Sequence, residues 1–312
     1  MSIRIDFPGP LTTVQDLGRS GYMKDGFGAS GAMDKRALRL GNILVGNEEN
    51  TAGIEMTLMG ISATVLDRTV AAFTGADVSP KINGESVPMN KALLLLPGDK
   101  IETGFAVSGC RAYLSLRGGV DVPIVMGSRS TNLKCKIGGF KGRKLDMDDI
   151  IPVLPTEIPD REETEKRSVP YSPYFENGLA KVRAIEGPQD FMFSEEEKEK
   201  FFSTEYKVTP SSDRMGMRLE GEPISSLSGV DIISDGIVEG SVQIPKNGMP
   251  IILLSDRQTT GGYAKIATVI TADIPLLAQC KPGDSVRFLR VSVDEAQKIL
   301  KEENKFFSSL RF

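Results

Sequence analysis

The chain has no histidine among its 312 residues. Without histidine, neither a Ser-His-Asp nor a Cys-His catalytic arrangement can be built, and no imidazole can ligate a metal or transfer a proton. Any proton transfer therefore falls to Asp, Glu, Lys, Tyr, Cys or water. The three cysteines, Cys110, Cys135 and Cys280, are far apart in the sequence. We expect them to be reduced thiols, because their number and spacing fit neither a disulfide framework nor a CxxC metal site.

Other absences exclude further classes of protein. No run approaches the ~18 consecutive apolar residues of a membrane span, and no charged leader followed by an apolar segment is visible after Met1. We therefore expect a cytoplasmic protein without a membrane partner. Lys and Arg total 38 against 42 Asp and Glu, without a long basic run, which argues against a nucleic-acid partner. The GxxxxGK[ST] and strand-following GxGxxG motifs are also absent, so any ATP would be bound in another mode.

The composition divides the chain near its middle. Residues 155–175, PTEIPDREETEKRSVPYSPYF, are rich in charge and proline and lack apolar periodicity, which is typical of a linker or of an excursion over the surface. This segment separates a domain over 1–154 from a domain over 176–312. Both halves contain short β-rich runs between Gly, Pro, Asp and Asn, which predicts a mainly β fold with a few helices. Helices are predicted over 35–46 after the cap Asp34, after the cap Ser194, and near the C-terminus.

A glycine-dense stretch, TTVQDLGRSGY followed by GASGAMD, covers most of residues 12–34. Glycines let a backbone approach a ligand and present its N–H groups, and Arg19 is suited to bind a carboxylate or phosphate with two hydrogen bonds. Gln15, Asp16 and Ser30 are candidate site residues for the same reason. The structural alternative is a loop in which Asp16 pairs with Arg19.

A second candidate segment is LRGGVDVPIVMGSRSTNL, residues 116–133. Arg117 precedes two glycines, and GSRST brings Ser128 and Arg129 together. Hydroxyl groups beside an arginine suit an oxyanion, although a Ser/Thr-rich turn has the same composition.

The densest polar segments are SSDRMGMRL at 211–219 and VQIPKNGMPIILLSDRQTTGGYAKIA at 242–267. Polar loops directly after buried strands are where a β scaffold carries binding residues. A long hairpin turn with a surface Asp–Arg pair is the alternative. Lys265 is a candidate cation, although an exposed lysine is usually only solvated. The candidate site residues of these segments are Asp213, Arg214, Gln243, Asp256, Arg257, Gln258, Thr259 and Tyr263.

Taken together and in this order, the motifs TTVQDLGR, SGAMD, LRGGVDVP with GSRST, SDRMG and SDRQTTGGY resemble the biotin-dependent carboxyltransferase family. This family is also called allophanate hydrolase subunit 2. The resemblance runs from about Gly9 to about Arg290. It implies two cyclophilin-like β-barrel domains that face one another across a cleft. It also implies partners, namely a B-type (KipI-like) subunit and an A-type subunit of different fold.

The activity implied by the resemblance is that of the C-type (KipA-like) subunit in an ATP-dependent 5-oxoprolinase complex, a hydrolase that opens 5-oxoproline to glutamate. ATP with Mg²⁺ is then the cofactor of the complex, and no metal site is assigned to this chain. Asp16, Asp213 and Asp256 would act as base or magnesium ligand, and the arginines would stabilise phosphate and substrate carboxylate.

Two alternatives remain open. The first is the carboxyltransferase subunit of a biotin-dependent urea or amide carboxylase. The chain has no Met-Lys-Met biotinylation site, so we expect no biotin attached to it, and carboxybiotin would have to arrive on another chain. The second alternative is a non-catalytic antagonist of a KipI-type kinase inhibitor.

Overall fold

The computed structural model describes residues 1–310. The chain is mostly β and divides into two compact units. The first unit contains Met1–Ser20 and Ser30–Pro173, and the second contains Gly21–Ala29 and Tyr174–Ser309. Within the described residues, no helix is long and apolar enough to cross a membrane. The three cysteines form no disulfide in this part of the chain, and Cys135 is exposed.

The described residues of the first unit form eleven strands and two helices. The strands make a six-stranded sheet in the order β11-β1-β4-β9-β6-β7 and a five-stranded sheet in the order β2-β3-β10-β5-β8. The bounds are β1 Ser2–Phe7, β2 Thr12–Gln15, β3 Gly53–Thr57, β4 Ser62–Val65, β5 Thr69–Asp77, β6 Lys81–Ile82, β7 Glu85–Ser86, β8 Ala92–Leu95, β9 Lys100–Glu102, β10 Ser108–Leu116, β11 Ile150–Pro152, α1 Lys35–Val45 and α2 Arg161–Glu165.

The second unit contains a closed seven-stranded barrel in the order β12-β19-β16-β17-β14-β13-β20. Strands β15 and β18 form a separate two-stranded ribbon. The bounds are β12 Leu179–Glu186, α3 Glu195–Ser203, β13 Glu205–Val208, β14 Gly216–Glu220, β15 Asp231–Gly236, β16 Ser241–Gln243, β17 Ile251–Leu253, β18 Thr260–Tyr263, β19 Lys265–Val269, α4 Ile274–Ala278, β20 Ser285–Arg290 and α5 Val293–Ser309, with short 3₁₀ turns at Met23–Asp25, Asp190–Met192 and Thr271–Asp273.

The predicted helices are present, and their caps form for the expected reason. Asp34 accepts a hydrogen bond from the N–H of Ala37 at 2.8 Å at the start of α1, and Gly46 ends the helix in the left-handed conformation. Ser194 caps α3 in the same way through the N–H of Glu197.

The unit boundaries differ from those expected from composition. Residues 155–173 pack with the first unit, because α2 contacts β8 and the N–H of Ala92 donates to the carbonyl of Arg167 at 2.9 Å. The charges that suggested a linker form i,i+4 pairs along α2, such as Lys166 with Glu162 at 2.8 Å. Residues 21–29 belong to the second unit.

A buried network on the five-stranded sheet holds the start of α1. Tyr113 in β10 lies opposite Glu55 in β3, and its hydroxyl donates to that carboxylate at 2.6 Å. The same hydroxyl accepts from the N–H of Asp34 at 2.8 Å, while Glu55 also accepts from the N–H of Met33 at 2.9 Å. Gly41 lets α1 lie close to the sheet, because a Cβ there would lie 2.5 Å from the Ser115 hydroxyl.

This network predicts a loss of stability at alkaline pH. Burial and the nearby carboxylates of Glu55 and Asp34 raise the pKa of Tyr113 well above the usual 10.0. The unfolded chain therefore loses this proton first, so the stabilisation is complete below about pH 10 and declines above it, by up to about 1.4 kcal/mol per pH unit. Chemical unfolding between pH 8 and 11 should show a shallower decline for Tyr113→Phe. An unchanged slope would contradict this role.

Candidate functional site

The carboxylate of Asp16, directly after β2, is the centre of a buried polar cluster in the first unit. Its Oδ1 accepts hydrogen bonds from the hydroxyls of Ser128 at 2.7 Å and Ser130 at 2.5 Å, and from the N–H of Gly18 at 2.8 Å. Its Oδ2 accepts from the N–H of Arg129 at 2.6 Å. One carboxylate thus joins two distant loops through short hydrogen bonds.

Three other predicted residues bind the segment 130–132 beside this carboxylate. Arg19 donates from Nη2 to the carbonyl of Ser130 at 2.8 Å, and Gln15 donates to the carbonyl of Thr131 at 3.2 Å. Ser30 accepts from the side-chain amide of Asn132 at 3.0 Å. The structure therefore brings six predicted site residues of the first unit into one buried cluster, which we call the Asp16 cluster: Gln15, Asp16, Arg19, Ser30, Ser128 and Arg129.

The Asp16 cluster is built to hold loops. Asp16, which we predicted to be an acid, base or magnesium ligand, is 3 % exposed and is bound by four donors of the chain itself. Its oxygens are therefore engaged in fixing the loops at 16–19 and 128–130 in place.

Arg117 lies in a different environment from the Asp16 cluster. Its guanidinium donates to the carbonyl of Val45 at 2.9 Å and to the carbonyl of Glu157 at 2.7 Å. This arginine thus fastens the C-terminal end of α1 to the segment before α2.

In the second unit, a groove of about 770 Å³ lies along the barrel strands β14, β16 and β17. Four predicted residues line it, namely Asp213, Gln243, Gln258 and Tyr263. This volume lies within the ~300–1,000 Å³ range of small-molecule sites. The groove is the candidate functional site of this unit.

The groove is polar and carries charges of both signs. Lys246 and Arg218 supply cations, and Asp213 and Glu220 supply carboxylates. Lys246 is 74 % exposed and pairs with Asp231 of β15 at 3.1 Å. The groove therefore offers both hydrogen-bond donors and acceptors and an exposed ammonium group.

Two of the polar groups in the groove also order its walls. The Nε2 of Gln243 donates to the carbonyl of Tyr263 at 3.4 Å, which links the end of β16 to β18. The Oδ1 of Asp213 accepts from the N–H groups of Met215 at 2.8 Å and Gly216 at 3.1 Å, which fixes the turn before β14.

Arg214 and Asp256 form a nearly buried ion pair. The Nε of Arg214 donates to Oδ2 of Asp256 at 2.8 Å, and its Nη2 donates to Oδ1 at 3.2 Å. The N–H of Asp256 in turn donates to the carbonyl of Arg214 at 2.8 Å. This two-point pairing joins the two segments that each carry an Asp-Arg sequence, and it occupies the carboxylate that we predicted to be catalytic.

Arg257 and Thr259 lie outside the groove lining. The guanidinium of Arg257 donates to the carbonyls of Ile237 at 3.2 Å and Leu254 at 3.3 Å. Burial lowers the pKa of this guanidinium, and the negative charge of Glu239 partly offsets the effect. The carbonyl of Thr259 accepts from the N–H of Ile237 at 3.1 Å.

The two cations of the groove, Arg218 and Lys246, were not predicted as site residues, and Lys265 was left open between a binding cation and a solvated side chain. The sequence held a signal for each of the two groove cations. Arg218 alternates with buried residues of β14, which indicates an outward-facing side chain, and Lys246 lies in the turn sequence IPKNGMP. Lys265 is 2 % exposed and donates to Asp235 at 2.8 Å, so it is a buried, paired cation and not a solvated one. Within residues 1–310, no three His, Cys, Asp or Glu side chains lie together so that they could hold a metal ion.

A family model of the carboxyltransferase domain, subdomains A and B, matches residues 25–290. The chain belongs to this carboxyltransferase domain family. Two bacterial relatives, each named as the C subunit of 5-oxoprolinase, are 35 % identical to it. The Escherichia coli protein matches 99 % of this chain and 97 % of its own length, and the Haemophilus influenzae protein matches 96 % and 94 %.

The same carboxyltransferase domain also occurs within much longer proteins. The urea amidolyase of Saccharomyces cerevisiae is 32 % identical over 99 % of this chain, which corresponds to 18 % of the yeast protein. The solved structure of the K. lactis urea amidolyase matches 99 % of this chain at a TM-score of 0.92 and 30 % identity. The chain spans about a fifth of that structure's length.

The Asp16 cluster predicts a specific loss of stability. Asp16→Ala leaves two buried hydroxyls and two N–H groups without their acceptor, so we expect the free energy of unfolding to fall by about 3 kcal/mol or more. The matched control is Glu302→Ala on the exposed part of α5, for which a change within about 0.5 kcal/mol is expected. Urea unfolding measures both variants, and a loss below about 1 kcal/mol for Asp16→Ala would contradict its role as the anchor.

Proposed function

We propose that the chain is the C-type subunit of an ATP-dependent 5-oxoprolinase complex, which converts 5-oxoproline, ATP and water to glutamate, ADP and phosphate. The observation that carries this proposal is the end-to-end match with the 5-oxoprolinase relative from E. coli, at 35 % identity over 97 % of that protein. The match with urea amidolyase covers 18 % of the yeast protein. Because the relatives are named as one subunit of 5-oxoprolinase, we expect the activity to need other subunits, for which A-type and B-type proteins are the candidates.

The chemistry of the groove supports this substrate. 5-Oxoproline is a small cyclic amide with a carboxylate, so it presents one N–H donor, one carbonyl acceptor and one negative charge. The amides of Gln243 and Gln258 offer complementary donors and acceptors, and Lys246 offers a positive charge near them. The groove is open on the surface of the chain, so a partner is expected to complete the site.

The groove does not fit ATP. Its two cations are balanced by the carboxylates of Asp213 and Glu220, and Lys246 is already paired with Asp231. This balance leaves the groove without the excess of positive charge that a triphosphate needs, whereas a single carboxylate needs only one cation, which the largely exposed Lys246 supplies by exchanging Asp231 for the substrate. We therefore assign no residue of this chain to ATP or Mg²⁺.

A second candidate function is carboxyl transfer within a biotin-dependent urea carboxylase. It is favoured by the TM-score of 0.92 with the K. lactis urea amidolyase. That function needs a biotin carboxylase and a biotin carrier on other chains, since the sequence contains no Met-Lys-Met biotinylation motif.

The first test is reconstitution of the complex. The chain is co-expressed with candidate A-type and B-type proteins, and glutamate formation from 5-oxoproline is measured with and without ATP. We expect ATP-dependent glutamate that disappears when this chain is omitted. An intact, verified complex that forms no glutamate, or that carboxylates urea instead, would contradict the proposal.

The second test concerns the groove amides. Gln243→Leu and Gln258→Leu remove a hydrogen-bonding amide and keep a similar side-chain size, so we expect the KM for 5-oxoproline to rise about tenfold in each, because a lost hydrogen bond costs roughly 1–3 kcal/mol. Gln297→Leu on the exposed part of α5 is the matched control and should leave KM unchanged. Unchanged KM values in both groove variants would remove the groove as the substrate site.

A further inference from the structure

A second cavity lies in the first unit, within a basic part of an otherwise acidic chain. The whole chain has a net charge of −4, yet residues 134–144, KCKIGGFKGRK, contain five cations and no acid. The cavity, of about 340 Å³, lies between residues 138–142 of this segment, which we call the glycine loop, and residues 121–125 together with Pro152. Neither the cavity nor the basic segment has a part in the proposed function.

The glycine loop is rigidly placed by close packing. Gly138, Gly139 and Gly142 all have positive φ angles, between 54° and 67°. A Cβ on Gly138 would lie 2.2 Å from the carbonyl oxygen of Ser130, and a Cβ on Gly139 would lie 1.8 Å from the hydroxyl of Thr131. These positions therefore admit glycine alone, and they place the loop directly on the segment that the Asp16 cluster fixes.

The opposite wall is fixed by the same cluster. Arg129, whose N–H binds Asp16, donates from Nε to the carbonyl of Val122 at 3.0 Å. Its Nη2 lies 3.9 Å from Oδ1 of Asp121. The Asp121 carboxylate in the cavity lining is therefore close to a positive charge. One buried carboxylate thus sets the spacing of both walls, which indicates a preformed cavity.

The lining combines an apolar body with one cationic end. Val122, Pro123, Val125 and Phe140 supply apolar surface, and Lys141 is the cation among the lining residues. The ammonium of Lys141 lies 4.9 Å from the centre of the Phe140 ring, and Arg143 lies 5.4 Å from the same ring. Arg143 is held by two hydrogen bonds of 2.7 Å to Asp149, so the ring packs against a cation that is itself fixed in place.

We propose that this cavity binds a small molecule with an oxyanion, either carboxylate or phosphate, attached to a compact apolar group. The apolar group would lie against Val122, Val125 and Phe140, and the oxyanion would contact Lys141. The volume is at the lower end of the ~300–1,000 Å³ range of ligand sites, which favours a small acid over a nucleotide. Because the site belongs to the chain itself, it stands or falls independently of the 5-oxoprolinase proposal.

The test is NMR titration of the full-length, ¹⁵N-labelled chain with four probes that separate the two requirements. Hexanoate and hexyl phosphate carry both an oxyanion and an apolar group, 1-hexanol lacks the anion, and acetate lacks the apolar group. We expect saturable shifts at the amides of Gly138, Gly139 and Gly142 with at least one of the first two, and about tenfold weaker binding of the last two. Whichever of hexanoate and hexyl phosphate binds with the higher affinity then identifies the preferred oxyanion.

Two variants separate the charge from the cavity. Lys141→Met removes the charge and keeps an apolar stem, so it should weaken binding of the anionic probes about tenfold, as expected for the loss of a charge-assisted contact. Lys144→Met, in the same segment but outside the cavity lining, is the control and should bind normally. Val125→Phe fills the cavity and should abolish binding while the rest of the spectrum is retained.

Three outcomes would overturn the proposal. The first is the absence of saturable shifts at the glycine loop with any probe. The second is equal affinity for 1-hexanol and hexanoate, which would remove the oxyanion from the recognition. The third is undiminished binding in Val125→Phe, which would place the probes elsewhere on the chain.

Discussion

The buried carboxylate of Asp16 is the interaction on which the arrangement of the first unit's loops depends. It gathers two serine hydroxyls and two backbone N–H groups within 2.5–2.8 Å, from loops more than 100 residues apart in sequence. Burying a carboxylate is costly unless donors surround it, and here they do. Because those donors come from distant loops, moving either loop away would leave the buried carboxylate without hydrogen bonds. The position of each loop is therefore strongly constrained. The neighbouring Glu55–Tyr113 pair fixes the start of α1 by the same principle.

In the second unit, the residues that make the structure rigid differ from the residues that are available to bind a ligand. Its barrel strands close on themselves, which gives a firm support for the turns that follow each strand. Two arginines of this unit are already occupied by contacts within the chain. Arg214 binds the carboxylate of Asp256, and Arg257 binds backbone carbonyls. The groups left at the groove surface include amides and a largely exposed lysine. Relatives that share this domain carry the names of two different enzymes, so the surface groups are where we expect their substrates to be distinguished.

Local chemistry made part of this structure predictable from sequence. The caps Asp34 and Ser194 act on residues three positions away, so their helices follow from short-range rules. The β-rich composition predicted the fold class, and the spacing of glycine and polar motifs identified the residues that gather around Asp16. The five family motifs carried the resemblance that the family model and the relatives confirm.

The remaining features depend on tertiary contacts that sequence patterns do not encode. Arg117 and Arg257 bind backbone carbonyls. Every residue has a backbone carbonyl, so the sequence does not show which residue will accept these hydrogen bonds. Lys265 is buried because Asp235 of the ribbon reaches it, although the two lie 30 positions apart. Residues 155–173 have the composition of a linker because their exposed face is charged, while backbone hydrogen bonds attach them to the first unit.

A crystal structure of the assembled complex with 5-oxoproline bound tests the assignment of the groove as the substrate site most directly. We expect the lactam ring to lie in the groove of the second unit, with its amide against Gln243 and Gln258 and its carboxylate towards Lys246. Ligand density on another subunit, or on this chain away from the groove, would contradict it.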